Sequence, residues 1–115
     1  MPSSVGRPQL SLEQHARDGA WVVIVRGEVD AGSISPLQRA TRAAAAAVPT
    51  LVLDFGAVTF ADSSALNLLV ALHHSTTLRV AAPQPQLQYL LSITGADQVL
   101  NIYPTTDHAC AATPR

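Results

Sequence analysis

The sequence carries little charge. Aspartate, glutamate, lysine and arginine make up 13% of its 115 residues and leave a net charge of −1. That balance supplies no basic surface for a nucleic acid and no polybasic segment for an anionic membrane. Long apolar runs are missing too: none reaches the ~20 residues of a membrane span. The opening Met1-Pro2-Ser3-Ser4-Val5-Gly6-Arg7 lacks the apolar centre of a signal peptide. With a single cysteine, Cys110, no internal disulfide can form, which fits a reducing cytoplasm. Cys110 has no organised charge partner nearby in sequence and reads as inert. The Gly-x-Ser-x-Gly elbow, the Gly-x-x-x-x-Gly-Lys-Ser/Thr phosphate loop and the Gly-x-Gly-x-x-Gly fingerprint are all absent. Of the histidines, His15, His73, His74 and His108, only His73 and His74 are adjacent. Neighbours on a helix point about 100° apart and make no shared clamp, so no metal site is expected. An enzyme using Ser63 or Ser64 as nucleophile would need a base, and no histidine lies near them in sequence.

What the chain does have is core. Hydrophobic residues make up 48% of it, enough for one compact domain. Residues 1–8, rich in Ser, Pro and Gly, read as a flexible tail, and 9–115 as the domain. Leu10, Leu12 and Gln14 alternate with Ser11, Glu13 and His15, as in a half-exposed edge strand. Asp18-Gly19 signals a hairpin turn. Trp21-Val22-Val23-Ile24-Val25-Arg26 is a β-branched central strand, broken by Gly27-Glu28-Val29-Asp30-Ala31-Gly32. Ser33 or Ser35 is placed to cap a helix with Pro36 in its first turn, running through alanines 43–47 to Pro49. Thr50-Leu51-Val52-Leu53-Asp54-Phe55 is a buried strand. A short loop then leads to Asp62-Ser63-Ser64 and a helix to about His74. Leu78–Ala82 is a strand. Gln86–Thr94 is an amphipathic helix stopped by Gly95, Val99–Tyr103 a last strand, and Thr105 to about Ala112 a short helix. Alternation after an opening hairpin predicts an α/β fold: a mixed β-sheet of about five strands with about four helices packed on it. Loops at the carboxyl ends of parallel strands share one edge, so Gly27–Asp30 and Ala61–Ser64 should lie together.

Asp62-Ser63-Ser64 is the candidate site. Asp or Ser before an apolar helix is the commonest N-cap, and one such residue suffices. Three in a row exceed that need. They sit where unpaired N–H groups and the positive end of a helix dipole suit an anion, including one attached to serine. The helix beyond carries Leu66, Leu69, Val70 and His73 on one stripe and Leu68 and Leu72 on another flank. A helix apolar beyond its core face is either deeply buried or covered by a partner.

Leu51-Val52-Leu53-Asp54-Phe55 followed by Phe60-Ala61-Asp62-Ser63-Ser64-Ala65-Leu66 resembles the signature of STAS domains, specifically the bacterial anti-sigma factor antagonists. Gly27-Glu28-Val29-Asp30, Leu78-Arg79-Val80-Ala81, Leu87 to Gly95, and Leu100-Asn101-Ile102-Tyr103-Pro104 also fit that family, from about residue 9 to 112. The resemblance implies a STAS-like fold and a cytoplasmic binding protein, not an enzyme and without a cofactor. Its partner would be a kinase-type anti-sigma factor, which the antagonist makes release a sigma factor for transcription. That kinase would phosphorylate Ser64 and end the binding, and a phosphatase would restore it. Asp62 and Ser63 would shape the loop, with Glu28 and Asp30 in the neighbouring contact surface; the second apolar flank of the helix, from the periodicity above, adds Leu68 as a partner-facing residue. The alternative is a STAS-like regulatory or scaffold module of another signalling assembly, or a nucleotide- or anion-binding module. Two places depart from the pattern: the family usually has glycine after the second serine, where this chain has Ala65, whose methyl group is expected beside the acceptor, and Ala31-Gly32 after Asp30 is less typical.

Overall fold

The computed structural model describes residues 10–112, so the tail expected at residues 1–8 lies outside the described residues. The fold opens with a hairpin. Strand β1 (Ser11–Arg17), mostly exposed, pairs antiparallel with β2 (Ala20–Val29). The linking residues Asp18 and Gly19 have φ of 52° and 82°. A two-residue type I′ turn needs positive φ at both positions, which aspartate and glycine tolerate.

In β2, Val22, Val23 and Val25 are fully buried, so both faces of the strand are covered. The break expected at Gly27 does not occur. Gly27 takes φ of 103° beside a register shift between Gly27 and Glu28, and the strand runs on to Val29. A glycine at positive φ bends a strand at a bulge without ending it.

Helix α1 (Ser35–Ala47) buries Leu37, Thr41 and Ala44, one stripe at helical spacing. Pro36 lies in its first turn as expected, but neither serine caps it. The N-cap position is Ile34 and makes no side-chain cap. The Ser33 hydroxyl is taken by the preceding loop, donating to the Glu28 carbonyl at 2.8 Å, and Ser35 already lies inside the helix.

Strand β3 spans Thr50–Ala61, longer than the expected 50–55. It is followed by α2 (Ser63–Ser75), β4 (Thr77–Ala81), α3 (Pro85–Thr94), a single 3-10 turn at Ala96–Gln98, β5 (Asn101–Tyr103) and α4 (Thr106–Ala111). Gly95 ends α3 at φ of 78°. The last strand is shorter than expected because Val99 and Leu100 both donate to the Ala96 carbonyl and close the turn instead. The five strands stand in chain order, β1-β2-β3-β4-β5, and every pair after the first is parallel. This is the mixed five-stranded, four-helix architecture that the alternation predicts.

The helices divide unequally. Val23, Val25, Leu51, Leu53, Phe55, Leu78 and Val80 face α1, α2 and α3 in one core. Ala20, Val22, Val52 and Ala81 on the other face form a smaller cluster with Ala109 and Cys110 of α4, flanked by Ile24 and Tyr103. That short helix is fastened by Arg79, whose side chain is buried and donates to the Ala109 carbonyl at 2.9 Å. A guanidinium suits this place, because the last carbonyls of a helix lack partners and carry negative partial charge. No helix among the described residues is long and apolar enough to cross a membrane.

Two outcomes follow from this packing. Leu53→Ala empties a fully buried site in the main core and is expected to lower unfolding free energy by about 2–5 kcal/mol, read by urea denaturation. Burial pushes the Cys110 thiol above its ordinary range. The unfolded chain therefore loses this proton first as pH rises past about 8.5, and stability falls over that interval. Cys110→Ala is expected to flatten the decline between about pH 7 and about pH 10 in denaturation series.

Candidate functional site

The Asp62-Ser63-Ser64 segment is delivered by β3 itself and not by the short loop expected. Beyond Phe55 the strand keeps only β2 as a neighbour: Gly27 pairs with Val58, Glu28 with Phe60 and Val29 with Ala61. The ladder then takes one further step, as the Asp62 N–H donates to the Val29 carbonyl at 3.1 Å. On the opposite edge the Gln86 amide holds Ala61. Its Oε1 accepts from the Ala61 N–H at 2.9 Å and its Nε2 donates to the Ala61 carbonyl at 2.8 Å.

Asp62 then turns the chain. Its backbone is extended, with φ of −108° and ψ of −166°, and its carboxylate accepts from the Ser64 N–H at 2.8 Å. Its carbonyl accepts from Ala65 and Leu66. Asp62 is thus the N-cap of α2, satisfying donors that the first turn leaves without helical partners. Ser63 and Ser64 open the helix, Ser63 exposed and Ser64 half-buried.

The neighbouring loop is fixed by its own polar groups. Asp30 Oδ1 accepts from the Gly32 and Ser33 N–H groups, each at 3.0 Å. Ser33 Oγ accepts from the Asp30 N–H at 3.0 Å while donating to the Glu28 carbonyl. Part of the Asp30 carboxylate is therefore committed to the loop. Glu28 and Asp30 are half-buried and stand beside the 60–62 segment through the register just described. The structure brings the two loops to one edge of the domain, as the topology required.

Between α1 and α2 lies an open groove of about 500 Å³. Ser64 lines it, with Ile34, Gln38, Arg42, Asn67 and Leu68. Arg42 makes no ion pair or side-chain hydrogen bond among the described residues. Leu68, placed on the partner-facing flank by the helical pattern, is only 4% exposed. It belongs to the buried stripe with Ala65, Leu69 and Leu72, and offers a partner little more than a floor to the groove. Leu66, Val70 and His73 form a half-buried flank. Ala65, expected to place a methyl group beside the acceptor, is 1% exposed and packs into the main core.

Sequence reasoning missed Gln86, Gln38 and Arg42. Gln86 follows a Pro-Gln-Pro run that signals only the end of a strand. Gln38 and Arg42 sit one turn apart on α1, a spacing that marks a shared face and does not say what the face meets.

Comparison with known proteins follows the same outline. A family model described as the STAS domain matches residues 11–109. The crystal structure of an anti-sigma factor antagonist from Mycobacterium paratuberculosis is 34% identical, with a TM-score of 0.80 over 88% of this chain and 91% of that one. An anti-sigma factor antagonist (STAS) domain protein from Planctomyces limnophilus is 18% identical, with a TM-score of 0.77 over 86% of this chain and 94% of that one. The Bacillus cell fate determinant SpoIIAA in its phosphorylated form is 20% identical, with a TM-score of 0.66 over 87% of this chain and 95% of that one. A search by sequence among curated proteins finds no match. With the family model spanning nearly the whole chain and the Mycobacterium antagonist above 30% identity, the chain belongs to the STAS-domain family of anti-sigma factor antagonists.

Proposed function

We propose that this protein binds a kinase-type anti-sigma factor, frees the sigma factor it holds, and is switched off by phosphorylation of Ser64. It acts as a cytoplasmic binding protein and not as an enzyme, and a phosphatase resets it. The observation that carries this reading is the placement of Ser64: half-buried, in the first turn of α2, and lining an open groove. The Ser64 backbone N–H is already engaged by Asp62, so the segment is held while the hydroxyl makes no hydrogen bond among the described residues. The Mycobacterium neighbour, an anti-sigma factor antagonist, supports the partner class. The phosphorylated form of SpoIIAA supports covalent control.

The electrostatics suit a switch. A phosphate on Ser64 adds roughly −1.5 to −2 charge units. Within the protein it would stand at the positive end of α2, in a groove that the exposed Arg42 also lines, so the fold can accommodate it. Against a docked partner the same charge, crowded by Glu28, Asp30 and Asp62, brings desolvation cost and repulsion. A 100-fold loss of affinity needs only about 2.7 kcal/mol, within reach of one uncompensated charge at an interface.

Incubation with kinase-type anti-sigma factors and ATP, read by intact mass, is expected to add one phosphate to the wild type and to Ser63→Ala, and none to Ser64→Ala. Equal incorporation into wild type and Ser64→Ala would move the acceptor elsewhere. Ser64→Asp is expected to weaken binding to the anti-sigma factor about 100-fold in calorimetry while leaving the unfolding midpoint close to that of wild type. Asp62→Ala removes the cap of α2 and is expected to cost about 1 kcal/mol of stability in denaturant titration.

A further inference from the structure

We infer that Gln86 is a positioning residue for Ser64: a side-chain amide that replaces a missing strand and fixes the segment from which the acceptor projects. The functional consequence rests on the reading of Ser64 as the phosphorylated residue.

The need for such a group comes from the sheet. The last β4 residue to pair with β3 is Ala81, opposite Asp54. From Gly56 onward β3 has β2 on one side and no strand on the other. An unpaired edge presents a row of N–H and C=O groups with nothing to hold them. At Ala61, next to Asp62, both backbone groups are bound by one side chain, at 2.9 and 2.8 Å. A primary amide offers one acceptor and a donor at the spacing a peptide group offers, so Gln86 reproduces a hydrogen-bonded strand pair. Only one orientation of the amide serves both bonds, because the flipped one sets N–H against N–H. Gln84 makes a related contact further back, its Nε2 donating to the Gly56 carbonyl at 2.8 Å.

The clamp has a firm base. Gln86 lies in the first turn of α3, and the adjacent Leu87, 2% exposed, anchors that turn in the main core. The 61–62 backbone is thereby gripped from two sides: Val29 receives the Asp62 N–H, and Gln86 takes Ala61. Two residues on stands Ser64, whose own N–H is tied to Asp62. Phosphoryl transfer depends on bringing a hydroxyl within reach of the γ-phosphate in line, and a shift of about 1 Å is enough to slow such a step up to ~100-fold. Removing the clamp should therefore lower turnover more than docking.

The test uses two variants of the whole chain and two measurements. Gln86→Met keeps the length and removes both hydrogen bonds. Gln86→Glu, ionised at neutral pH, still accepts from the Ala61 N–H but sets a negative oxygen against the Ala61 carbonyl. The first measurement is native-state hydrogen exchange, expressed as protection factors. Gln86→Met is expected to lower protection of Ala61, Asp62 and Ser64 about tenfold while Val23 and Leu53 keep wild-type values. Gln86→Glu is expected to match it at neutral pH and to regain protection once its carboxyl is protonated, below about pH 4.3, because the neutral acid again has one donor and one acceptor. The second is steady-state phosphorylation by whichever kinase-type anti-sigma factor modifies the wild type. There Gln86→Met is expected to lower kcat about tenfold and to leave KM within about twofold. Wild-type protection at Ala61–Ser64 in Gln86→Met, or an equal loss at every amide, would overturn the proposal. So would unchanged kcat in a variant that has lost the local protection. A wild type that accepts no phosphate would end the reading of Ser64, and the exchange series would still decide whether Gln86 holds the segment.

Discussion

The parallel pairing of β2 with β3 beyond the end of β4 is the constraint on which the rest depends. Val29 opposite Ala61, extended by the Asp62 N–H to the Val29 carbonyl, brings the Glu28–Ser33 loop and the Asp62–Ser64 turn to one edge. Neither segment is near the other in the chain. Their juxtaposition is a consequence of register, and in a sheet with buried faces register is strictly set, because a slip of one residue would turn Val58 and Ala61 out of the core. The candidate site is therefore tied to the sheet, although Ser64 itself sits at a helix terminus.

That tie bears on how a charge added at Ser64 would be felt. The first turn of α2 is already capped by Asp62, and the Glu28–Ser33 loop is closed by Asp30 and Ser33. A phosphate has no cap to displace and no loop to unlock. Its effect would fall on whatever rests against the edge, where Glu28, Asp30 and Asp62 stand half-buried, while the exposed Arg42 lines the groove beside the first turn of α2. On the proposed reading the same atoms would be tolerable to the fold and costly to a partner, and such a switch would act through contact rather than through refolding.

Much of this was legible in the sequence, and for identifiable reasons. The run Leu51–Phe55, the alanines of α1 and the Leu87–Leu91 spacing each state one period clearly, and each became the element expected. Gly27 misled because glycine signals a change of direction without saying whether the strand survives it; here it does, through a bulge. Ser33 misled because a hydroxyl before a helix can accept from the first N–H groups of the helix or bond to the loop before it, and the loop claimed it. Leu68 was placed on the partner-facing flank because helical periodicity cannot tell the floor of a groove from an exposed flank. The two loops of the site were found by topology, whereas Gln86, Gln38 and Arg42 depend on long-range approach, to which local patterns carry no pointer.

The shortness of β4 explains why a side chain serves where a strand might. Ala82 follows the strand at φ of 56°, in the left-handed region that costs a residue bearing a Cβ roughly 1 kcal/mol or more, and Pro83 comes directly after it. Together they turn the chain off the sheet after Ala81, and Pro85 starts α3 four residues later. A longer β4 would have covered the edge of β3 with backbone and pushed α3 away from Ala61. Leaving early opens that edge and at once brings two glutamines, Gln84 and Gln86, against it. An edge closed by side chains can be retuned by single substitutions without moving the core. The last stretch of β3, and with it the placement of Ser64, is therefore adjustable independently of the fold that supports it.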